Sequence, residues 1–257
     1  MHGDDILLAT EELTVRYGGV LAVDKVSLRV PRGRVVGLIG PNGAGKTSFV
    51  DAVTGFTPST GELRLRGRPA SGWPAHLRAQ AGLARTWQSL ELFQDLTVGQ
   101  NVQVAARRLG IGSLLSDMVR PGRKPVEPKV PAALERAGLL DAVDKYPGEL
   151  SLGQRKLLGV ARALAAGPDV LLMDEPAAGL DSDESMALGQ RIRAIAAAGT
   201  GVLLIDHDMG LVLKVCDEVH VLEFGSLIAH GTPGEIRRND EVVAAYLGSH
   251  GTEENRI

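Results

Sequence analysis

The chain has 257 residues, enough to bury a full core as one large domain or as a domain with a subdomain. A formal net charge of −3 gives no electrostatic basis for a nucleic-acid partner. Cys216 is the only cysteine, which excludes an internal disulfide and a multi-cysteine metal site, fits a cytosolic compartment, and suits a small buried apolar residue. The polar, acidic start from Met1 to Asp5 does not read as a signal peptide, and no apolar run approaches the roughly 20 residues of a membrane span. Work at a membrane would require another chain to supply the membrane part.

From Leu7 to Val30, runs such as Leu13-Thr14-Val15 and Val26-Ser27-Leu28-Arg29-Val30 alternate apolar and polar residues and predict antiparallel strands. Tyr17 falls in a glycine-flanked turn among them. Val35-Val36-Gly37-Leu38-Ile39 predicts a short buried strand, and Ser48 to Thr54 can begin a helix. Between them stands Gly40-Pro41-Asn42-Gly43-Ala44-Gly45-Lys46-Thr47, which fits G-x-x-x-x-G-K-[ST] at every fixed position. Glycines let a backbone wrap a phosphate closely, and successive N–H groups with a helix N-terminus supply positive potential. Lys46 adds a point charge for the β- and γ-phosphates and Thr47 a hydroxyl for Mg²⁺. The loop is expected to be an exposed turn in which the lysine has no structural task. Glu62-Leu63-Arg64-Leu65-Arg66, flanked by Gly61 and Gly67, predicts a further antiparallel strand.

Between about Leu90 and Leu164 the texture is helical, with a loop-bearing insertion expected over Gly110 to Pro131, where Gly, Pro and basic residues concentrate. Its Arg120, Arg123 and Lys124 fit a solvated surface. In Leu150-Ser151-Leu152-Gly153-Gln154, Ser151 and Gln154 form a capping box that starts a helix whatever the function. A capped helix N-terminus is equally an anion site, and the segment alone does not decide between the two. Val170-Leu171-Leu172-Met173 and Val202-Leu203-Leu204-Ile205 are continuous apolar runs, as in a parallel sheet covered on both faces, with a crossover helix expected over Ser182 to Ala198. The first run ends in Asp174-Glu175, where an open α/β sheet presents ligands. One carboxylate can hold Mg²⁺ through water and the other can orient or deprotonate an attacking water. His207 stands at the end of the second run. Taken singly, His207, Gln88 and Tyr17 would pass for structural or surface residues.

Taken together, the phosphate loop, Gln88, the LSLGQ segment, the acidic strand end and His207 resemble, in that order, the ATP-binding subunit of an ABC transporter. The resemblance covers nearly the whole chain. It implies an α/β phosphate-loop ATPase with a mostly parallel sheet, an N-terminal antiparallel β-subdomain and an inserted helical subdomain. It divides residues 1–257 into a core of about 5–89 and 165–250 and a helical subdomain of 90–164 that carries the signature. The implied nucleotide contacts are Tyr17, stacked on adenine, the loop from Gly40 to Thr47 with Ser48, and Ser151, Gly153 and Gln154, which would meet the γ-phosphate bound by the opposite subunit. Thr47, Gln88 and Asp174 would serve Mg²⁺, Gln88 also sensing the membrane partner. Glu175 would be the catalytic base, His207 the switch near the γ-phosphate, and Lys46 and Gln88 further participants in catalysis. Gly179-Leu180-Asp181 would cross the dimer interface. Leu152 departs from the commoner LSGGQ signature.

Arg16-Tyr17-Gly18-Gly19, Ala84-Arg85-Thr86-Trp87-Gln88, Asp174-Glu175-Pro176-Ala177-Ala178-Gly179-Leu180 and Asp206-His207-Asp208-Met209 are similar to the branched-chain amino-acid transport ATPases. So is the ending Gly231-Thr232-Pro233-Gly234-Glu235-Ile236 with Tyr246-Leu247-Gly248, although Thr232 and Glu235 are themselves a capping box. The expectation is MgATP hydrolysis that drives import, with ATP and Mg²⁺ as cofactors. One phosphate loop and one signature per chain imply that complete sites need two chains, as a homodimer or with a paralogous ATPase subunit. Integral-membrane permease subunits would hold the pair on the cytoplasmic face of the membrane. Urea or amide import and lipopolysaccharide export use similar subunits. A soluble ABC ATPase outside transport and a nucleotide sensor without turnover are the other classes; the first fits poorly with the acidic balance, the second with an intact Glu175.

Overall fold

In a computed structural model the described residues are 6–87, 91–106 and 127–250. In chain order they form β1 (Ile6–Tyr17), β2 (Val20–Pro31), β3 (Val35–Ile39), α1 (Lys46–Thr54), β4 (Thr60–Leu65), β5 (Arg68–Pro69), α2 (Ala75–Gln80) and β6 (Leu83–Thr86). There follow α3 (Val98–Ala106), α4 (Lys129–Ala137), α5 (Leu152–Ala165), β7 (Val170–Asp174), α6 (Ser182–Ala197), β8 (Gly201–Ile205), α7 (Met209–Val215), β9 (Glu218–Glu223), β10 (Ser226–Gly231), α8 (Pro233–Ile236) and α9 (Asp240–His250). The chain divides into two compact units, Met1–Gln88 with Pro168–Ile257, and Ser89–Gly167.

The larger unit holds two sheets. One is antiparallel, in the order β2-β1-β4-β5. The alternating runs seen in the sequence extend there into two strands of 12 residues each. The other sheet runs β10-β9-β3-β8-β7-β6, parallel from β9 to β6, with β10 antiparallel at one edge. The register puts Val36, Leu38, Leu203, Ile205, Val170, Leu172 and Leu83 on one face, where they join Phe49, Val50 and Val53 of α1 and the inner face of the antiparallel sheet. Phe49 is wholly buried, and burying such a ring contributes about 1.5–3 kcal/mol. On the opposite face α7 lies so close that a Cβ on Gly37 would come within 2.9 Å of the Cys216 sulfur and 3.2 Å of Val212. Cys216 is buried there, and burial pushes its thiol up to about 12, which leaves it unreactive. Continuous apolar runs in β3, β7 and β8 follow from this double cover.

The smaller unit is helical. Val98, Asn101 and Val102 of α3, Ala133, Leu134 and Ala137 of α4, and Leu158, Ala161, Leu164 and Ala165 of α5 are buried at helical spacing. Fully buried Asn101 satisfies the chain before α3: its amide donates to the carbonyls of Phe93, Leu96 and Thr97, and its Oδ1 accepts from the Phe93 N–H. A helix begins within the end of the loop-bearing insertion expected over Gly110 to Pro131. Pro131 lies in the first turn of α4, where a missing N–H costs no intrahelical bond. Residues 110–126 of that segment lie outside the described residues.

Candidate functional site

β3 delivers the chain to the phosphate loop at the C-terminal edge of the parallel sheet. Two loop glycines are dictated by close approach. A Cβ on Gly40 would stand 2.0 Å from the Leu222 carbonyl oxygen, and one on Gly45 2.3 Å from that of Ala22. Both also have positive φ, 150° and 102°. Gly225, in the β9–β10 turn, donates to the Ala44 carbonyl at 2.9 Å and accepts from the Asp24 N–H, which ties loop, hairpin turn and β2 together. α1 begins at Lys46 with no side chain capping it and no acidic residue in its first turn, so its first N–H groups are left able to take an anion.

The lysine differs from expectation. Lys46 is buried, and its Nζ donates to the carbonyls of Gly40 at 2.6 Å and Pro41 at 2.9 Å. It therefore braces the loop in addition to offering charge. Burial lowers its pKa, opposed by the nearby carboxylates of Glu175, Asp174 and Asp206. Those three acids and the loop lysine thus share one electrostatic site. Thr47 is exposed next to it.

The acids come from the ends of β7 and β8. Asp174 pairs with Ile205 in the ladder, and the Glu175 N–H donates to the Ile205 carbonyl at 2.7 Å. Glu175 has φ +48°, a left-handed conformation that costs a non-glycine residue on the order of 1–3 kcal/mol. His207 Nδ1 lies 3.9 Å from Glu175 Oε2 and 3.7 Å from Asp206 Oδ1, near both carboxylates but beyond hydrogen-bond length. Asp206 is wholly buried and accepts the N–H of Ala177 on one oxygen and of Asp208 on the other. One carboxylate thereby clamps the turn after Glu175 to the turn after His207. Asp174 is held by Arg85 at 2.7 Å, which also binds Asp51 of α1 at 2.5 Å.

Tyr17 closes β1, is 48 % exposed, and has its hydroxyl 3.3 Å from the Thr57 hydroxyl. Its strand pairs with β2, whose Ala22 abuts Gly45, so Tyr17 is carried on the hairpin that borders the loop. Asn42 and Gly43 are exposed on the loop, Pro41 and Ser48 partly so, and Ala44 is buried. Ser151, Gly153 and Gln154 stand at the start of α5 in the smaller unit. The Gln154 N–H donates to Ser151 Oγ and the Ser151 N–H to Gln154 Oε1, so the capping box is formed. Asp181 caps α6 by accepting from the N–H groups of Asp183 and Glu184. Gln88 lies outside the described residues.

Sequence reasoning assigned nothing to Arg85 or Asp206. Asp206 could have been found as a third acid at the end of an apolar strand. Arg85 required the register: it pairs with Leu172, so it shares a face with Leu172 and with Asp174 two residues on.

Fold and loop together define an α/β phosphate-loop nucleotide-binding protein. Comparison with known proteins narrows this. The ABC transporter family matches residues 23–178, and a branched-chain amino acid ATP-binding cassette transporter family matches residues 226–252. The chain is 39 % identical over 249 residues to the high-affinity branched-chain amino acid transport ATP-binding protein LivG of Salmonella typhimurium, covering 94 % of this chain and 98 % of that one. It is 40 % identical to BraF of Pseudomonas aeruginosa, with the same name and coverage, and 34 % identical to the lipopolysaccharide export system ATP-binding protein LptB of Escherichia coli over 94 % and 97 %. Among solved structures, the ADP conformation of an ATP-binding cassette of an ABC transporter superposes with TM-score 0.83 at 29 % identity, over 95 % of this chain and 99 % of that one. The chain belongs to the ABC transporter family.

Proposed function

We propose that this chain is the ATP-binding subunit of an importer of branched-chain amino acids and hydrolyses MgATP to drive it. The observation that carries the substrate class is the match of residues 226–252 to the branched-chain amino acid ATP-binding cassette transporter family, on top of similarity to LivG over 94 % of this chain. The lipopolysaccharide-export relative is similar over the same length at lower identity.

In this reading the loop amides from Gly40 to Thr47, with Ser48, and Lys46 hold the triphosphate while Tyr17 stacks on adenine. Mg²⁺ characteristically keeps several waters and takes one or two protein ligands beside phosphates. The exposed Thr47 hydroxyl and the Asp174 carboxylate at the strand end suit that, with Gln88 as the remaining candidate. Bound there, the ion would neutralise charge on the β- and γ-oxygens. Glu175 takes the proton of the attacking water, and His207, beside it, orients the γ-phosphate end of the site. Ser151, Gly153 and Gln154 complete the site of a second chain, identical or paralogous. The helical unit of about 90–164 serves as their carrier, inserted in a core of about 5–89 and 165–250. Permease subunits hold the pair at the cytoplasmic face of the membrane. No helix among the described residues is long and apolar enough to cross a membrane.

The test is purification of the tagged chain from membranes of its own cells, paired with leucine, isoleucine and valine uptake. A polytopic permease should co-purify, and uptake should fail when Lys46→Ala replaces the chain. A permease that moves another solute, with uptake of all three amino acids intact, would overturn the substrate reading.

A further inference from the structure

Arg85 is the residue at this edge whose placement the roles above leave unexplained. Its side chain is 8 % exposed and its two terminal nitrogens go in different directions. Nη1 reaches Asp51 on α1 at 2.5 Å and Nη2 reaches Oδ2 of Asp174 at 2.7 Å. The guanidinium also lies over the Trp87 ring, 4.5 Å from its centroid, and Trp87 meets Phe56 edge-on at 5.4 Å. Trp87 and Phe56 are both more than half exposed. A chain of contacts thus runs from the Asp174 carboxylate to the surface beside the end of β6.

A brace between α1 and the sheet does not require such chemistry. Well-packed apolar residues of similar volume often hold buried elements together as well as a buried ion pair does. A guanidinium does something they cannot: a charged N–H holds one oxygen of a carboxylate at a set point while the other arm of the rigid fork is anchored on a second acid. With Oδ2 of Asp174 occupied, the other oxygen is left for a further partner. Two carboxylates on one guanidinium also leave a net negative charge, compatible with a cation beside them.

We propose that Arg85 is a positioning residue for Mg²⁺: it sets the carboxylate of Asp174 and couples its state to Trp87. This rests on the reading that Asp174 serves the metal of bound ATP. Residues that orient metal-binding carboxylates typically shift metal affinity about 10–100-fold when changed, which sets the scale of the expected effect.

The experiment uses the full chain with Trp73→Phe, which leaves Trp87 as the fluorophore, since the sequence has only these two tryptophans. ATP is first titrated in EDTA, and Mg²⁺ is then titrated at saturating ATP, with Trp87 emission as the readout. Melting temperature is recorded alongside. Arg85→Lys should bind ATP in EDTA like its parent but need about 10–100-fold more Mg²⁺ for half-saturation, with a smaller Trp87 response. Asp51→Asn, which weakens only the other arm, should lower melting temperature and leave the Mg²⁺ midpoint in place; if Arg85→Lys does not fold, Arg85→Gln takes its place with the same expected rise in the Mg²⁺ midpoint. Superimposable Mg²⁺ curves for Arg85→Lys, or tighter Mg²⁺ binding, would overturn the proposal. An equal shift in Asp51→Asn would overturn it too, by showing that any loosening of α1 suffices. Failure of the parent protein to bind ATP would instead strike at the nucleotide site itself.

Discussion

The phosphate loop and the acidic edge beside it are built by opposite means. The loop is one continuous stretch held by backbone: glycines that let the Leu222 and Ala22 carbonyls approach, a Gly225 N–H on the Ala44 carbonyl, and Lys46 folded onto two carbonyls of its own turn. The edge is assembled from β6, β7 and β8 by side chains: Arg85 on Asp174, Asp206 on two backbone amides, His207 beside Glu175. A region held by backbone resists side-chain substitution except where space or charge is decisive. A region held by a few buried polar side chains can lose its geometry through any one of them, because each lost partner leaves a buried group unsatisfied.

The sharpest separation of the two comes from Glu175→Gln. If Glu175 is the base and the loop holds the triphosphate, the amide keeps shape and removes the base, so hydrolysis should slow about 10²–10⁴-fold while ATP affinity stays near its parent value. If a second chain completes the site, the slowed protein should accumulate as a dimer with MgATP and remain mostly monomeric with ADP, which light scattering would read. Undiminished turnover would remove Glu175 from the role of base and point to Asp174 or His207.

The same contrast explains what could be read without coordinates. The loop was legible because every determinant lies within Gly40 to Thr47, and the sheet core because both faces are covered, which makes β3, β8 and β7 up to Met173 continuous runs without a charged residue. The helix of Ser182–Ala197 and the caps at Ser151 and Thr232 were legible for the same local reason. What escaped notice is what depends on register or on packing across the chain. Arg85 shares a face with Asp174 only once β6 is paired to β7 at Leu172, and Asp206 gains the Ala177 amide only when β7 and β8 are neighbours. The structural task of Lys46 escaped because a motif specifies residue types and says nothing of which way a side chain folds when it braces its own loop.

Asp206→Ala tests whether the edge is as exposed to single losses as this implies. It would strip the Ala177 and Asp208 N–H groups of their acceptor inside the protein, at about 1–3 kcal/mol each. For a chain of this size each kcal/mol lowers the melting temperature by about 2–4 °C. The two turns that carry Glu175 and His207 should also lose register, so turnover should fall further than ATP affinity. Asp206→Asn keeps one acceptor and should recover part of the stability. A melting temperature unchanged in Asp206→Ala would show that the clamp is dispensable and that the edge has other support.

The smallest effect is expected at Tyr17, which belongs to neither region's framework. It is half-exposed at the end of β1, and among the described residues its hydroxyl meets the Thr57 hydroxyl, at the long distance of 3.3 Å. Removing the ring should therefore cost little stability. If the ring stacks on adenine, Tyr17→Ala should weaken ATP binding by about 1 kcal/mol, roughly fivefold, at the low end of base–aromatic stacking. Tyr17→Phe should bind ATP like the parent, because the ring face carries the contact and the Thr57 bond does not. Titrating ATP and a triphosphate without a base against all three proteins separates the sources of affinity. The loop predicts equal triphosphate binding in each, while only the base-bearing nucleotide should register the loss of the ring. A drop in melting temperature with equal ATP affinities would instead mark Tyr17 as a packing residue of the β1–β2 hairpin.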